Sequence, residues 1–407
     1  MKILNVAKAA LYGIFLNYYC YYVLAGSFIP YGTVLFFGVA CGCVALDVLQ
    51  QRYVYIGSEI KCWIAYAIVS VISTAVITIG GSMDFLGDIA KYMQRVMIIM
   101  MVAYICEREG SIRFGLRLMA VTAIAAAISI MSVIGDIQLK LDITTDADLS
   151  ANDIGSIMAY GCFAIMFAWG KRGKTSLMLS ALKVTGFIYC VIVIFLAGSR
   201  KSIGAVVLML VLLLLLCLRD YAGSTRFWRF VVVLIIGAAA YFIITEYLLQ
   251  YATQTNLYDR LFGDNAAGAA ESDEGRIQLY RYALEHFLEH PLFGIGFNQY
   301  KKYHWVYSHS TYAEPFACSG LTGLLYLYPY FSILCKQIYL IRVNRRGSAA
   351  RLKQKELFVY LCMVLFVAVG IPYMYKDIPC ILLGTFVASQ AISFRELEKT
   401  GRTSADY

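Results

Sequence analysis

Twelve apolar runs, most of them close in length to the hydrocarbon core of a bilayer, leave this chain few folds to adopt. They fall at about 9–29, 32–49, 62–80, 88–106, 115–134, 153–170, 184–198, 203–218, 230–249, 317–341, 357–371 and 380–394. About 20 apolar residues in a helix cross a membrane core while pairing every backbone N–H and C=O internally. The composition agrees: of 407 residues 60% are hydrophobic and 15% charged, where a soluble domain carries about 25% charged residues. The sequence therefore predicts an all-α polytopic membrane protein of about 12 transmembrane helices. One large, partly helical extracytoplasmic loop separates spans 9 and 10.

Orientation follows from where Lys and Arg gather. With a cytoplasmic N-terminus, the inner connections hold most basic residues, among them Arg342, Arg345, Arg346, Arg351, Lys353 and Lys355. The opposite connections SMDFLGD, GDIQLKLDITTDADLSAND and MYKDIP are acidic or mixed. The positive-inside rule then puts both termini in the cytoplasm. The basic start MKILNVAK leads into a long apolar core without an AxA-like exit, which predicts a retained span rather than a cleaved signal. Most of the 12 Cys sit inside apolar runs and read as small hydrophobes. The expected organisation is 1–249 (spans 1–9), 250–316 (extracytoplasmic catalytic loop) and 317–407 (spans 10–12 and a cytoplasmic tail).

Segment 250–316 is rich in aromatics, and loops of this length are usually functional or disordered. From Arg276 to His290, the residues Ile277, Tyr280, Leu284, Phe287 and Leu288 recur at helical spacing, and Pro291 stops the helix. This helix is expected to lie across the outer mouth of the bundle, with Arg276 at its start, where the helix dipole also attracts anions. All 4 His of the chain, His286, His290, His304 and His309, lie in the same segment. Histidine suits proton transfer near neutral pH, so the clustering points to this loop.

Within it, HFLEH matches the HxxEH zinc-peptidase spacing, but Glu314 is the only nearby downstream Glu, and helix-surface positions account for His286 and His290. His309 stands just before the tenth run, followed by Ser310, nine residues, Gly320, two residues and Gly323. The glycines would let a neighbouring helix approach closely. A histidine so placed can take a proton from a hydroxyl at the membrane face; as a wet interfacial residue it would have no such task.

The remaining signal is cationic. Arg200 and Lys201, in AGSRKS, follow the seventh run on the outer face, where the rule disfavours them. Lys91 and Arg95 lie four apart on the outer half of the fourth run. With Arg276, these cations at one leaflet suggest a phosphate or diphosphate, which arginine holds bidentately; lipid headgroups are the competing ligand. No GxxxxGK[ST] is present, and the inner connections carry no acidic metal site for a nucleotide sugar. Energy then has to enter with a lipid-linked donor from outside, and no nucleic-acid partner is implied.

The run GSR, then GRIQLYRYALEHFLEHPLFGIGFNQY, then His-Ser, nine residues, GLTG resembles the O-antigen ligase and polymerase family of bacterial surface-polysaccharide enzymes. By motif the resemblance covers about residues 184–340. It implies an undecaprenyl-diphosphate-linked oligosaccharide donor, a glycan acceptor, no metal or other cofactor, and an active site under the large loop of a bacterial cytoplasmic-membrane protein. A chain-length regulator and a flippase would be its partners beside membrane lipids. Carried over, Arg200 and Arg276 match the diphosphate-binding arginines and His309 the base. Lys201, Arg281, Tyr312, Glu314, Arg95 and Lys91 are further substrate contacts.

The resulting expectation is a metal-independent, inverting glycosyltransferase of the outer leaflet that polymerises lipid-linked repeats. A ligase passing the finished glycan to lipid A-core or another terminal acceptor is the alternative. The repeated basic motif of an early polymerase loop is not evident here. A 12-span transporter or lipid-linked glycan flippase is a further reading, although the span centres are nearly free of charge.

Overall fold

The computed structural model describes residues 2–23, 32–52, 57–77, 85–134, 151–169, 176–217, 266–345 and 348–399. Among them there are helices and turns but no strand. The long helices are α1 (Lys2–Val23), α2 (Gly32–Gln51), α3 (Ser58–Ile77), α4 (Phe85–Arg108), α5 (Arg113–Ile134), α6 (Ala151–Ala168), α7 (Leu177–Leu196) and α8 (Arg200–Cys217). After them come α9 (Ala266–Glu289), α10 (Tyr300–His304), α11 (Ala313–Ser319), a 3-10 turn over Gly320–Gly323, α12 (Leu324–Val343), α13 (Ala349–Ala368), a second 3-10 turn over Tyr373–Tyr375, and α14 (Ile378–Lys399). Among the described residues, 7 helices are long and apolar enough to cross a membrane, so the chain is a polytopic membrane protein by composition and length. The run at 230–249, and the first part of the loop expected at 250–316, lie outside the described residues.

Burial sorts these helices by position. In α14, 89% of the apolar window is buried inside the protein, against 17% in α2 and in α7, so α14 is the core and the other two present most of their side chains outward. Small residues let the neighbours of α14 come close, as lipid-solvated helices require, since hydrophobicity alone does not drive them together. A Cβ on Gly384 would meet the Ile99 carbonyl oxygen at 2.7 Å, and one on Gly115 would strike Thr385, so α4 and α5 both pack backbone-close on α14.

Ion pairs occur at both ends of the bundle, but only one end carries the loop. At one end charged pairs tie helix to helix: Arg108 to Asp47 at 3.3 Å, Glu107 to Arg395, Glu59 to Lys336, and Lys8 to Glu109. At the other, the loop end, segment 291–323 is stitched onto the helices. The Phe297 N–H donates to Thr74 of α3 at 2.8 Å, Asn298 donates to Asp88 of α4 at 2.6 Å, and Tyr280 donates to the Val369 carbonyl just past α13 at 3.0 Å.

Three expectations from sequence are corrected here. The amphipathic helix does not begin at Arg276; α9 starts ten residues earlier, because the alanine-rich stretch AAGAAESDE is itself a good helix former. Arg276 thus lies in the helix interior, away from the dipole's positive end. Its expected apolar stripe is divided as well: Ala283 is buried and Tyr280 and Phe287 are partly buried, whereas Ile277, Leu284 and Leu288 are 52%, 56% and 66% exposed.

The tenth run, finally, is not one helix. Gly320 takes φ +59 and ends α11, and its bare Cα backs onto the Pro291 carbonyl, which accepts from the Leu321 N–H at 2.7 Å. Gly323 clears the Pro315 carbonyl, which a Cβ would approach at 2.5 Å. These glycines serve a backbone-to-backbone seam between loops, joined also by Ile295 N–H to Ala317 O and Gly296 N–H to Cys318 O, rather than a helix-helix groove.

Candidate functional site

His309 sits in a turn of unusual stiffness. Its φ is +57, a left-handed conformation that a non-glycine residue holds only when its surroundings over-determine it. Those surroundings are explicit. On one side the Ser308 N–H donates to the Glu314 carboxylate at 2.7 Å. On the other, the Ser310 hydroxyl oxygen accepts from the N–H groups of Tyr312 and Ala313 at 3.1 and 3.3 Å, capping α11.

Thr311 then fastens the turn to the α13–α14 connection. Its N–H donates to Ala368 O at 2.9 Å, its hydroxyl donates to Ile371 O, and it accepts from the Tyr373 N–H at 3.0 Å. Ser308, Ser310, Thr311 and Glu314 are all buried, while His309 between them is only partly so. The ring is thereby the one side chain of the turn presented outward from a rigid base.

What it faces is cationic. Burial first, then the charges of Arg276 and Lys201, and to a lesser degree Lys376, hold the His309 imidazole below its ordinary range, with Asp153 acting the other way. The ring is therefore neutral at neutral pH, which leaves one nitrogen free to accept a proton. Lys201 is depressed to about 7, by burial and by the Arg276 charge, again opposed by Asp153. These five groups come from α6, α8, α9, the His309 turn and the α13–α14 connection, and they converge at the loop end.

Local packing explains how. A Cβ on Gly155 of α6 would meet Ser199 Cβ and Ser202 Oγ at 2.5 Å, so the α7–α8 turn rests directly on α6 beside Asp153. Gly370 opens the path for the Lys201 side chain, whose Nζ lies 2.5 Å from where a Cβ would stand. On α9, Arg276 and Tyr280 are one turn apart, and the Tyr280 bond to Val369 turns that face towards the α13–α14 connection.

A polar cavity of about 500 Å³ adjoins this cluster, with Asp153 and Lys376 in its wall. The two are ion-paired at 2.8 Å. Lys91 and Arg95 of α4 line the cavity, as do Asn298, Lys301, Tyr307 and Tyr375. Arg95 donates to Asp377 at 2.7 Å and to Met374 O at 3.2 Å, so it also braces the α13–α14 connection.

The residues singled out from sequence thus scatter in an informative way. His309, Arg276 and Lys201 share one electrostatic neighbourhood. Arg200 is partly buried one position before Lys201, and it is not among the charges that dominate the His309 ring. Arg281 is exposed, five residues past Arg276 and so on a different face of α9. Tyr312 donates to Leu365 O at 3.0 Å, and Glu314 is buried with its carboxylate taken up by Ser308 and Tyr375. Asp153, Lys376 and Lys301 escaped the sequence reading, because a lone charge at a helix end looks like any solvated terminus.

The other histidines form a separate group. His286 and His304 meet Nε2 to Nε2 at 2.9 Å, Tyr282 stacks on His304 at 4.6 Å, and His290 is exposed. Among the described residues no group of three or more His, Cys, Asp or Glu is placed to hold a metal ion.

Residues 185–328 match the family model described as O-antigen ligase. No curated protein matches the chain. The similarity to that family is confined to this stretch, which holds Arg200, Lys201, Arg276 and His309.

Proposed function

We propose that this O-antigen ligase domain, within a multi-pass membrane protein, transfers glycan from an undecaprenyl-diphosphate-linked donor at the extracytoplasmic face of a bacterial cytoplasmic membrane. The observation that carries the reading is the convergence of one neutral histidine with Arg276 and Lys201, residues far apart in sequence, at one end of the bundle. Basic residues accumulate towards the other end of the helices, which supports a cytoplasmic position for that end and for both termini, with twelve spans in all.

In this mechanism an acceptor hydroxyl gives its proton to His309 as its oxygen attacks the anomeric carbon of the donor. The bond from that carbon to the diphosphate oxygen breaks, its electron pair leaving with the diphosphate, and His309 later returns the proton to water. Attack opposite the leaving group inverts the anomeric centre. Arg276 and Lys201, with Arg200 beside them, stabilise the charge growing on the diphosphate, the task a metal ion would otherwise perform. Arg281, being exposed, contacts the donor's outer sugars, and Tyr312 and Glu314 hold the His309 turn.

The acceptor in this reading is another lipid-linked repeat, which makes the protein a polymerase. The family model's own description favours a second reading, a ligase. Deleting the gene separates them: single repeats left on the carrier mark a polymerase, long unattached chains a ligase. For the transferase itself, Arg276→Ala should lower donor turnover by purified protein in detergent by about 100- to 1,000-fold. Turnover within threefold of the unaltered protein would remove the diphosphate assignment.

A further inference from the structure

The cavity next to His309 carries a charge imbalance that the transfer chemistry does not use. Its wall holds four cations, Lys91, Arg95, Lys301 and Lys376, and three carboxylates, Asp88, Asp153 and Asp377. The carboxylates are all engaged: Asp377 by Arg95 at 2.7 Å, Asp153 by Lys376 at 2.8 Å, and Asp88 by the Asn298 amide at 2.6 Å. That leaves Lys91 and Lys301 with no carboxylate partner among the described residues. The Lys301 ammonium instead lies 5.1 Å from the centre of the Tyr307 ring, and Tyr307 packs on Tyr375 at 4.4 Å.

We infer that this cavity receives an acidic sugar of the acceptor glycan, and that Lys91 and Lys301 read its negative charge. The inference rests on the transferase reading above. The volume of about 500 Å³ is that of a small-ligand site, and Tyr307 and Tyr375 stand in its wall. Asp88 is held by a neutral amide, which cancels none of its charge, so the wall carries one net positive charge, and a concave site focuses that field on an incoming anion. A neutral sugar would leave that excess charge unanswered; a uronate carboxylate or a phosphate ester would meet it at Lys91 and Lys301. Arg276, Lys201 and His309 are absent from the cavity wall, while Asp153 and Lys376 belong to both places. The cavity therefore adjoins the His309 cluster through Asp153 and Lys376, and the acceptor is the substrate assigned to it here.

The test is equilibrium binding to the full chain in lipid nanodiscs. Four probes are used: a glucuronosyl disaccharide, its neutral glucosyl counterpart, the 6-phosphorylated glucosyl counterpart, and farnesyl diphosphate. At low salt at least one acidic disaccharide should bind about tenfold or more tightly than the neutral one, and which acid wins tells carboxylate from phosphate. In the double variant Lys91→Gln with Lys301→Gln, both on the exposed side of the wall, that preference should vanish while farnesyl diphosphate binds as before. Equal binding of neutral and acidic disaccharides overturns the inference, and so does loss of farnesyl diphosphate affinity in the double variant, which would make the cavity the donor's. Failure of Arg276→Ala to weaken farnesyl diphosphate binding would instead strike the donor assignment, leaving the disaccharide comparison to be judged alone.

Discussion

Two histidine sites share the segment 266–323, and they are built to opposite ends. His309 is locked by its backbone: a left-handed turn, a Ser308 N–H held by Glu314 on one side and a Ser310 hydroxyl accepting from Tyr312 on the other, and a threonine bonded to a distant helix pair, with the ring among cations. His286 and His304 are locked by their rings, which pair with each other, and His304 also stacks on Tyr282. A ring that is already a hydrogen-bond partner holds two segments together; a ring with a rigid backbone and no such duty can do chemistry. Proximity in sequence did not distinguish the two.

The largest effect expected from breaking this contrast is at His309. His309→Ala should cost about 100- to 10,000-fold in turnover, the span of general acid–base catalysis. His309→Asn retains a residue that accepts the left-handed turn and should lose nearly as much, which separates the ring's chemistry from the turn's shape. Next comes the scaffold. Thr311→Val removes the hydroxyl but keeps the volume, stranding the buried Ile371 carbonyl and the Tyr373 N–H. A buried group left unpaired costs about 1–3 kcal/mol, so thermal unfolding should come earlier and turnover fall, with Thr311→Ser restoring both.

The pH profile sharpens the comparison further. Burial, and then the neighbouring cations, lower the proton affinity of His309, so kcat/KM should rise with pH along a limb centred below 6.5, the ordinary imidazole value. Lys201, depressed to about 7, loses its charge there, so if it serves the proposed diphosphate site kcat/KM should fall again as pH climbs through that point. Lys201→Arg stays charged and should abolish the alkaline limb without moving the acid one. An unchanged alkaline limb would assign it elsewhere. The smallest effect belongs to the paired rings: His286→Gln or His304→Gln should alter turnover by less than tenfold, while loosening α9 against α10 in hydrogen exchange.

How much of this could be read beforehand depends on which physics wrote the signal. Long apolar runs at helical length are governed by the bilayer, and α3, α4, α5 and α14 stand where the runs place them. Which side of such a helix meets protein is another matter. Lipid tails are as apolar as leucine, so Ile277, Leu284 and Leu288 looked like a packing stripe and are exposed. Gly320 and Gly323 were visible as special, but a glycine that frees a helix face and one that breaks a helix against a loop look the same in sequence. Glu314 read as a contact because it followed the His-Ser pair; its burial under Ser308 and Tyr375 depends on the α13–α14 connection some sixty residues on. Asp153 and Lys376, an ion pair across more than two hundred residues, had no pattern to reveal them.

The anchoring of Thr311 sets a limit on modularity. The matched segment ends at residue 328, yet the atoms that fix its His309 turn belong to Ala368, Ile371 and Tyr373. Grafting the 185–328 stretch into an unrelated bundle would import the motif without its jig. Any chimera meant to exchange specificities must carry the closing hairpin as well, so the smallest portable unit of this protein is a discontinuous one.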